Sequence, residues 1–313
     1  MADSASNNVL PESDAFTPYE NSAVQEIKGW AEDDPSVLSE GLRLAKRPLD
    51  WLAERSVTED VMEEINERII DVLNALSDAS TWTYDEEYVL RRAREEQDLS
   101  VGSLAELRTK PMDSLDNLAH SYFTENAVLS VIEGGGTGLG GAVLLAADIP
   151  MLFSINLRLI QQIAASYGFR FGSPEARPLV LRIFSAATAD TPEARREALQ
   201  ELRAAGAALA KENAPSASST ASRVGVSEAS SEGTQTTENQ SRALANEIAR
   251  NVATRQMAQL IPLAGVAAGA GINYWFTMAT AETAYMLSRA LFLEHKRQQK
   301  SASQEKFPDR TNR

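Results

Sequence analysis

Glycines spaced as in nucleotide-binding loops are the first feature of the sequence that could carry chemistry. Gly136, Gly138 and Gly141 fit G-x-G-x-x-G, a pattern whose glycines let a dinucleotide approach the backbone at the start of a helix. That motif also needs an acid about 20 positions further on, inside a βαβ unit. Asp148 comes too early and the next acid is Glu175. The spacing therefore does not predict nucleotide binding.

The histidines and cysteines offer little for catalysis or metal binding. The chain has no cysteine and two histidines, His120 and His295, and neither lies at metal-ligand spacing from a second ligand. His120 is followed by Ser121, but neighbouring residues on a helix do not face each other. We therefore expect no catalytic residues, no metal and no cofactor, and a hydrolase stays only as a remote alternative.

Polar residues inside two apolar segments are the better candidates for a binding site. A charge buried without a partner is costly, so such residues have either a ligand or a structural partner. Capping and internal pairing are the alternative explanation for the same residues. The candidates are Glu133, Asp148, Asn156, Arg158, Asn273 and Glu282.

The two apolar segments are Val131–Ile160 and Gln256–Ala281, and they hold all of these residues except Glu282, which directly follows the second segment. From Gly134 to Leu157 the only formal charge is Asp148, and the second segment has none. Glycines at G-x-x-x-G spacing clear a helix face so that another helix can pack closely. The glycines expected to serve this structural role are Gly134, Gly138, Gly141, Gly265, Gly269 and Gly271.

A helical hairpin is predicted within the first segment. Asp148 is expected to cap a helix that has Pro150 in its first turn, so the chain would reverse near residues 146–148. The piece before that turn, Gly136–Ala147, would be about 18 Å long, short of the ~30 Å hydrocarbon core of a bilayer. A re-entrant hairpin, an interfacial helix pair and a buried pair all remain open. This turn would set Glu133 opposite Arg158.

Helical periodicity dominates the rest of the chain, and no stretch has the alternation of a strand. We predict an all-α, multi-helix bundle organised around the glycine-rich apolar hairpin and a long C-terminal helical region. Residues 1–18 are expected to be disordered, 19–300 to form one helical domain with a flexible low-complexity insertion at 213–242, and 301–313 to be a flexible tail. The predicted helices are Tyr19–Trp30, Ser36–Arg55, a helix opening at Ser56 and Glu59 and running through Leu76, Asp85–Asp98, Asp113–Ile132, a helix ending at Gly168, one starting between Pro174 and Pro178, Thr191–Ala210, and a region from Ala243 to about Lys296 bent at Pro262.

Charge is distributed unevenly along the chain. The net charge is −14, and residues 1–120 hold 27 acids against 11 bases, which argues against nucleic-acid binding. From Arg289 onward seven bases face three acids, a balance suited to anionic headgroups. The cluster Tyr274-Trp275-Phe276 suits a lipid interface. The N-terminal residues lack the basic and apolar parts of a signal peptide, so we expect a cytoplasmic protein.

These features together resemble the EcsC family, over roughly Tyr19 to Arg297. The resemblance implies an all-helical bacterial protein without an established biochemical activity, in a family named after a member encoded beside the components of an ABC exporter. It lends no catalytic residues. The residues that carry it are Tyr19-Glu20, Trp30, Pro48, Asp50, Glu133-Gly134, Gly138, Gly141, Asp148-Ile149-Pro150, Arg158, Tyr167-Gly168-Phe169, Ile261-Pro262, Gly265, Gly269, Gly271, Asn273-Tyr274 and Phe276.

Two functions from different classes follow. The first is a non-enzymatic, membrane-associated helical protein at the cytoplasmic face of the cell membrane, whose partners are lipid or a membrane protein and which assists ABC-type transport or envelope maintenance. The second is a soluble helical module that closes the same apolar segments around an apolar ligand or a partner helix.

Overall fold

The computed structural model describes residues 13, 15–32, 67, 70–71, 84–137, 142–171, 176–189, 191–212, 243–244, 246–249, 251–252 and 265–306. Within these ranges the chain forms helices joined by turns, and no strand is present. The predicted all-α fold is therefore confirmed.

The helices of the bundle agree in position with most of those expected. Predicted helix Ser36–Arg55, insertion 213–242 and the bend at Pro262 lie outside the described residues, as does most of the predicted helix that opens at Ser56, of which residues 67, 70 and 71 are helical. The helices are α1 Pro18–Ala31, α2 Glu86–Glu96, α3 Leu104–Leu107, α4 Met112–Thr137, α5 Ala142–Ser166, α6 Arg177–Ala189, α7 Pro192–Glu212 and α8 Gly265–Lys306.

The fold begins slightly before the expected boundary at residue 18. Phe16 is buried in the core, and Thr17 caps α1 through a capping box in which Glu20 returns a hydrogen bond to the Thr17 backbone. The helix buries Val24, Ile27 and Trp30, which recur at the spacing of one helix face. At the other terminus α8 continues to Lys306, into the predicted tail.

Helix α8 is the centre of the bundle. It packs against α1, α4, α5, α6 and α7, and every residue from Trp275 to Glu294 is buried. Such a helix needs apolar residues on all sides rather than one stripe, and its sequence over this length is mostly Ala, Leu, Met, Phe, Tyr and Thr.

The helices around α8 give the bundle two distinct ends. Helix α4 runs antiparallel to α8, because Asp116 lies beside Arg289 and Ser130 lies beside Asn273. Helix α5 runs parallel to α8, since the ring of Phe153 contacts that of Phe276 and Tyr167 contacts Phe292. We call the end at which α4 finishes and α5 and α8 begin the hairpin end, and the opposite end the base.

Helices α4 and α5 pack against each other and run antiparallel, but the turn predicted near residues 146–148 is in a different place. Helix α4 extends to Thr137 and α5 starts at Ala142, so the chain reverses between them and not near residues 146–148. Asp148 and Pro150 lie inside α5, and the prediction that Asp148 is an N-cap is wrong. A proline inside a helix removes one backbone hydrogen bond, and here the packing of α5 against α4 and α8 outweighs that local signal.

The length and composition of a helix determine whether it can cross a bilayer. Over the ranges that the structure describes, no helix combines enough length with enough apolar character to cross a bilayer.

Candidate functional site

A buried ionic cluster joins three helices near the base. The side chain of Arg289 on α8 is 1% exposed and that of Asp116 on α4 is 2% exposed, and their nitrogen and oxygen atoms lie 3.1 Å apart. Arg289 also contacts Glu26 of α1 at 2.6 Å. Two buried charges are tolerated only when they pair and fill their remaining hydrogen bonds, so this cluster fixes the relative positions of α1, α4 and α8.

Tyrosine hydroxyls complete the surroundings of Asp116. Tyr19 donates to Asp116 Oδ2 at 2.8 Å, and Tyr167 donates a short hydrogen bond to Oδ1. Burial, and then the Asp116 charge, raise the pKa of Tyr167 well above its ordinary value, so the hydroxyl keeps its proton and donates. The guanidinium of Arg289 lies 4.8 Å above the centre of the Tyr285 ring, a distance typical of a cation–π contact.

His120 lies at the edge of this cluster. Its ring contacts those of Tyr285 and Phe123, with centroids 4.5 and 5.0 Å apart. Burial lowers the pKa of His120, an effect that the nearby charge of Asp116 opposes. Ser121 donates instead to the backbone of Leu118, which agrees with the expectation that the two neighbours do not form a nucleophile and base.

The chemistry of this cluster is that of a structural clamp. Both Asp116 oxygens accept bonds from groups that stay protonated, so the carboxylate is not available as a general base in this arrangement. A second carboxylate acts similarly: Glu20, which caps α1, also accepts two bonds from Lys296 of α8, at 2.6 and 2.7 Å. Across the described residues no group of three or more His, Asp or Glu side chains is placed to hold a metal.

A polar group of a different kind lies closer to the hairpin end, where α4 meets α5. The amide of Asn126 donates to Gln162 Oε1 at 3.2 Å and to the carbonyl of Tyr122, and its oxygen accepts a bond of 3.4 Å from Arg158 Nη2. Asn126 and Gln162 are buried, whereas Arg158 is partly exposed. We call Asn126, Arg158 and Gln162 the amide–arginine group.

Two further buried amides lie between the helices of the hairpin and α8. Asn156 donates to Thr277 Oγ1 at 3.2 Å and to the carbonyl of Leu152. Asn273 donates to the carbonyl of Ser130 at 3.4 Å. These contacts tie α5 and α4 to α8, so for Asn156 and Asn273 the structure supplies internal partners.

The other candidate residues are not brought to one place. Glu282 is buried on α8, between the amides and the ionic cluster along that helix. Glu133 and Asp148 lie in α4 and α5, and their side chains fall outside the described part. The expected pairing of Glu133 with Arg158 stays a prediction, since the Glu133 side chain is not described. Arg158 contacts Asn126, which precedes Glu133 by seven residues, about 10 Å along α4.

Large apolar side chains are exposed in a band around the hairpin end. Val128 on α4 is 53% exposed, Met151 on α5 is 49% exposed and Tyr274 on α8 is 43% exposed. We call these three residues the apolar rim. On α8, Asn273 is buried before Tyr274, and the residues after Tyr274 are buried as far as Glu294.

The contacts between helices place the rim residues at one level of the bundle. Ser130 lies beside Asn273, and Phe153 lies beside Phe276 with ring centroids 5.2 Å apart. With 1.5 Å of rise per residue, the three rim residues fall within about one helical turn of each other along the axis. Beyond this level lie the glycine-rich ends of α4, α5 and α8, in which the only charged residues are Glu133 and Asp148.

The structure corrects two features that were expected to favour lipid contact. Trp275 and Phe276 are buried, so only Tyr274 of the aromatic cluster is exposed at the surface. Arg289 belongs to the buried ionic cluster and is not part of a basic tail. The exposed bases begin at Lys296, 22 residues or about 33 Å from Tyr274 along α8.

Sequence reasoning missed the residues of the ionic cluster. Asp116 and Arg289 are 173 positions apart, and no motif connects them. One signal was available: Arg289 is a single base within the apolar run MLSRALFL, where a charge needs a buried partner. For Asn126 and Gln162 the available signal is an amide side chain at a position where the helical spacing of apolar residues predicts burial.

Fold and site together define an all-helical bundle clamped by buried ion pairs at its base and exposing apolar side chains at its hairpin end. The chain belongs to the EcsC protein family, whose profile matches residues 21–291. It is similar to the uncharacterized protein YdbA of Bacillus subtilis (strain 168), with 24% identity over 181 residues, which are 58% of this chain and 65% of that protein. The match thus spans slightly less than two thirds of the length of the relative. No solved structure matches the chain.

Proposed function

We propose that this protein docks reversibly on a membrane surface through the hairpin end of its bundle, without crossing the bilayer and without catalysing a reaction. The observation that carries the proposal is the apolar rim of Val128, Met151 and Tyr274, which surrounds an end of the bundle whose sequence is almost free of charge. Single exposed apolar residues are ordinary on a protein surface, whereas several at one level of a bundle favour an interaction site.

The chemistry of this end favours lipid as the occupant. The sequence that continues from the rim, residues 131–149 and 265–272, is rich in Gly, Ala, Val and Leu and contains two acids and no base. A protein partner is usually recognised through a polar rim around an apolar centre, whereas here the rim itself is apolar. Full burial of a Val or Met side chain is worth roughly 1.5–3 kcal/mol, so partial burial of three such residues supports weak, reversible attachment.

The position of the basic residues sets the salt dependence of this docking. Because Lys296 and the bases after it lie about 33 Å from Tyr274 along α8, a membrane that contacts the rim is beyond a Debye length from them at physiological salt. We therefore expect binding to resist high salt. A role beside an ABC exporter at the cytoplasmic face, which the family resemblance implies, would require such a membrane-facing surface.

Fractionation of the native protein tests the proposal. Lysate is separated by ultracentrifugation, and the membranes are washed with high salt and then with carbonate. We expect the wild-type protein in the membrane fraction after the salt wash and its release by carbonate. Variant Val128→Asp with Met151→Asp should lose membrane binding at least tenfold, because each introduced carboxylate must be dehydrated.

The matched control is Asn117→Asp, which adds a carboxylate to an exposed position of the same helix about 16 Å closer to the base. It should bind as the wild type does. A wild-type protein that stays wholly in the supernatant would refute membrane docking and favour the module that closes around an apolar ligand or partner helix.

A further inference from the structure

Arg158 is a partly exposed base about two helical turns from the rim residue Met151 along α5. It shares one face of α5 with Met151 and Ser154, at positions i, i+3 and i+7, and these three are exposed or partly exposed. Farther along α5, the residues from Leu159 to Phe169 are all buried. The accessible face of α5 therefore has an apolar residue toward the hairpin end and an arginine toward the base.

Among the described side chains, the guanidinium of Arg158 contacts an amide and no carboxylate. Within the described residues, its hydrogen bond to Asn126 Oδ1, at 3.4 Å, is a long one, and Nε is buried without a partner. No described carboxylate lies within ion-pair distance of it. A guanidinium has five N–H donors in a planar fork that suits a phosphate or carboxylate, so the Nη donors that do not bond Asn126 remain for a ligand.

The direction of the Arg158 side chain sets the distance of its guanidinium from the apolar rim along the bundle axis. Side chains on a helix lean toward its N-terminus, and for α5 that is the hairpin end. Arg158 reaches Asn126, and Asn126 lies four residues before Ser130, the residue level with the rim. The guanidinium is therefore about 6 Å below the rim along the axis. Apolar faces of peripheral proteins enter a membrane by about 5–10 Å, which would bring this group among the lipid phosphates.

We propose that Arg158 binds the phosphate group of a membrane phospholipid, with Asn126 as a positioning residue that orients the guanidinium and Gln162 holding the amide of Asn126. This inference rests on the proposed docking of the rim and adds its ligand: the rim enters the apolar layer while Arg158 contacts phosphate at its edge. Arginine suits this position because its apolar stem packs along the helix while its charged group reaches the headgroups.

Binding to two kinds of vesicle without net charge distinguishes recognition of phosphate from insertion of the apolar rim. Vesicles of phosphatidylcholine carry a phosphate in every headgroup, whereas vesicles of digalactosyldiacylglycerol carry none, and both have zero net charge. The full-length wild-type protein should cosediment with both, and about ten- to a hundredfold more tightly with phosphatidylcholine, the range typical of a hydrogen bond to a charged group. Arg158→Gln should lose this preference and keep its binding to the galactolipid.

Three variants make the result specific. Lys28→Gln removes an equal charge from a partly exposed position of α1 at the base and should behave as the wild type. Arg158→Lys should retain only part of the preference, because lysine cannot donate the bidentate pair. The Val128→Asp and Met151→Asp double variant should lose binding to both lipids. Equal unfolding midpoints in urea for Arg158→Gln and the wild type would show that its effect is not a loss of fold.

The outcomes separate this inference from the docking proposal. Equal binding of Arg158→Gln and the wild type to both lipids overturns the phosphate site and leaves docking intact. Absence of wild-type binding to either lipid overturns both. Calorimetric titration with inorganic phosphate distinguishes the remaining source: tight binding that depends on Arg158, in a protein that does not bind vesicles, would assign the site to a soluble phosphate compound instead of lipid.

Discussion

Arg289 and Asp116 form an ion pair that is almost entirely shielded from water, with side-chain exposures of 1% and 2% and a separation of 3.1 Å. Arg289 belongs to α8 and Asp116 to α4, and the two residues are 173 positions apart in sequence. Ion pairs of this kind contribute little net stability compared with an apolar pair, but they penalise any arrangement in which one partner is left alone. In this bundle the pair defines how α4 and α8 lie against each other.

Asp116→Ala should destabilise the protein by about 3–5 kcal/mol, because it leaves Arg289 and the hydroxyl of Tyr167 buried without their acceptor. The free energy of unfolding, measured by urea denaturation, tests this. The double variant Asp116→Ala with Arg289→Met should recover part of the loss, since no buried charge then remains.

The control for this measurement is an exposed pair. Glu86 and Arg170 lie 2.8 Å apart, with side-chain exposures of 36% and 47%, and Glu86→Ala should cost less than about 1 kcal/mol. Similar losses for Asp116→Ala and Glu86→Ala would contradict the interpretation of the buried cluster as the clamp of the bundle.

Stability should fall as the pH is lowered through the range in which histidine titrates. Burial lowers the pKa of His120 and of His295 in the folded protein, so the unfolded chain binds protons first, below about pH 6.5. The linked loss begins there and grows until the folded-state pKa is passed. The groups near His120 are Asp116, Arg289 and Glu26, of which Asp116 and Glu26 oppose the shift.

Unfolding in urea between about pH 7.5 and 5.5 measures this effect. Most carboxyl groups stay ionised over that range, so the slope reports mainly on the histidines. The variant His120→Gln with His295→Gln should show a flatter dependence than the wild type. An unchanged slope in the double variant would mean that other groups cause the loss.

The sequence predicted those parts of the fold that depend on residues close together. Helix α1, with its buried Val24, Ile27 and Trp30, is where the periodicity placed it. The end of α5, at Ser166 just before Gly168, was also predicted to within two residues, because a glycine after an apolar stripe is a common C-terminal signal. These features are set by side-chain spacing and by the backbone freedom of glycine, which can be read locally.

The parts that could not be predicted depend on contacts between distant residues. Asp148 followed by Pro150 is a typical helix start, yet α5 continues through both, because a local signal worth about 1 kcal/mol competes with packing along a whole helix. Asn126 and Gln162 of the amide–arginine group were missed for a related reason. Asn126 shows its role only when α4 and α5 are aligned, and the misplaced turn shifted that alignment by about 10 Å.

Gly168 provides a test of the end of α5. It has φ of +83°, and an added Cβ would lie 2.5 Å from the carbonyl oxygen of Leu104 and 2.6 Å from Arg108 Cγ. Gly168→Ala should therefore cost about 2 kcal/mol or more, combining the strain of this backbone conformation with a clash against the backbone of α3. Thermal and urea unfolding would measure the loss.

Gly102 is a suitable comparison for Gly168. A Cβ added there would lie 3.6 Å from Glu106 Oε1, an ordinary contact, so Gly102→Ala should change stability by less than about 0.5 kcal/mol. Equal effects at the two glycines would mean that the turn after α5 adjusts freely, against the tight contact seen with α3.

The last prediction concerns Glu133 and Arg158, which bound the apolar hairpin in sequence. Since Arg158 reaches Asn126, seven residues and about 10 Å before Glu133 along α4, the two charges should contribute independently to stability. In a double-mutant cycle, the effects of Glu133→Gln and Arg158→Gln should add to within about 0.5 kcal/mol. Arg158→Gln alone should be mild, because the residue is partly exposed. A coupling above about 1 kcal/mol, with a large loss for Arg158→Gln, would show instead that the arginine is bound to Glu133 and is unavailable to phosphate.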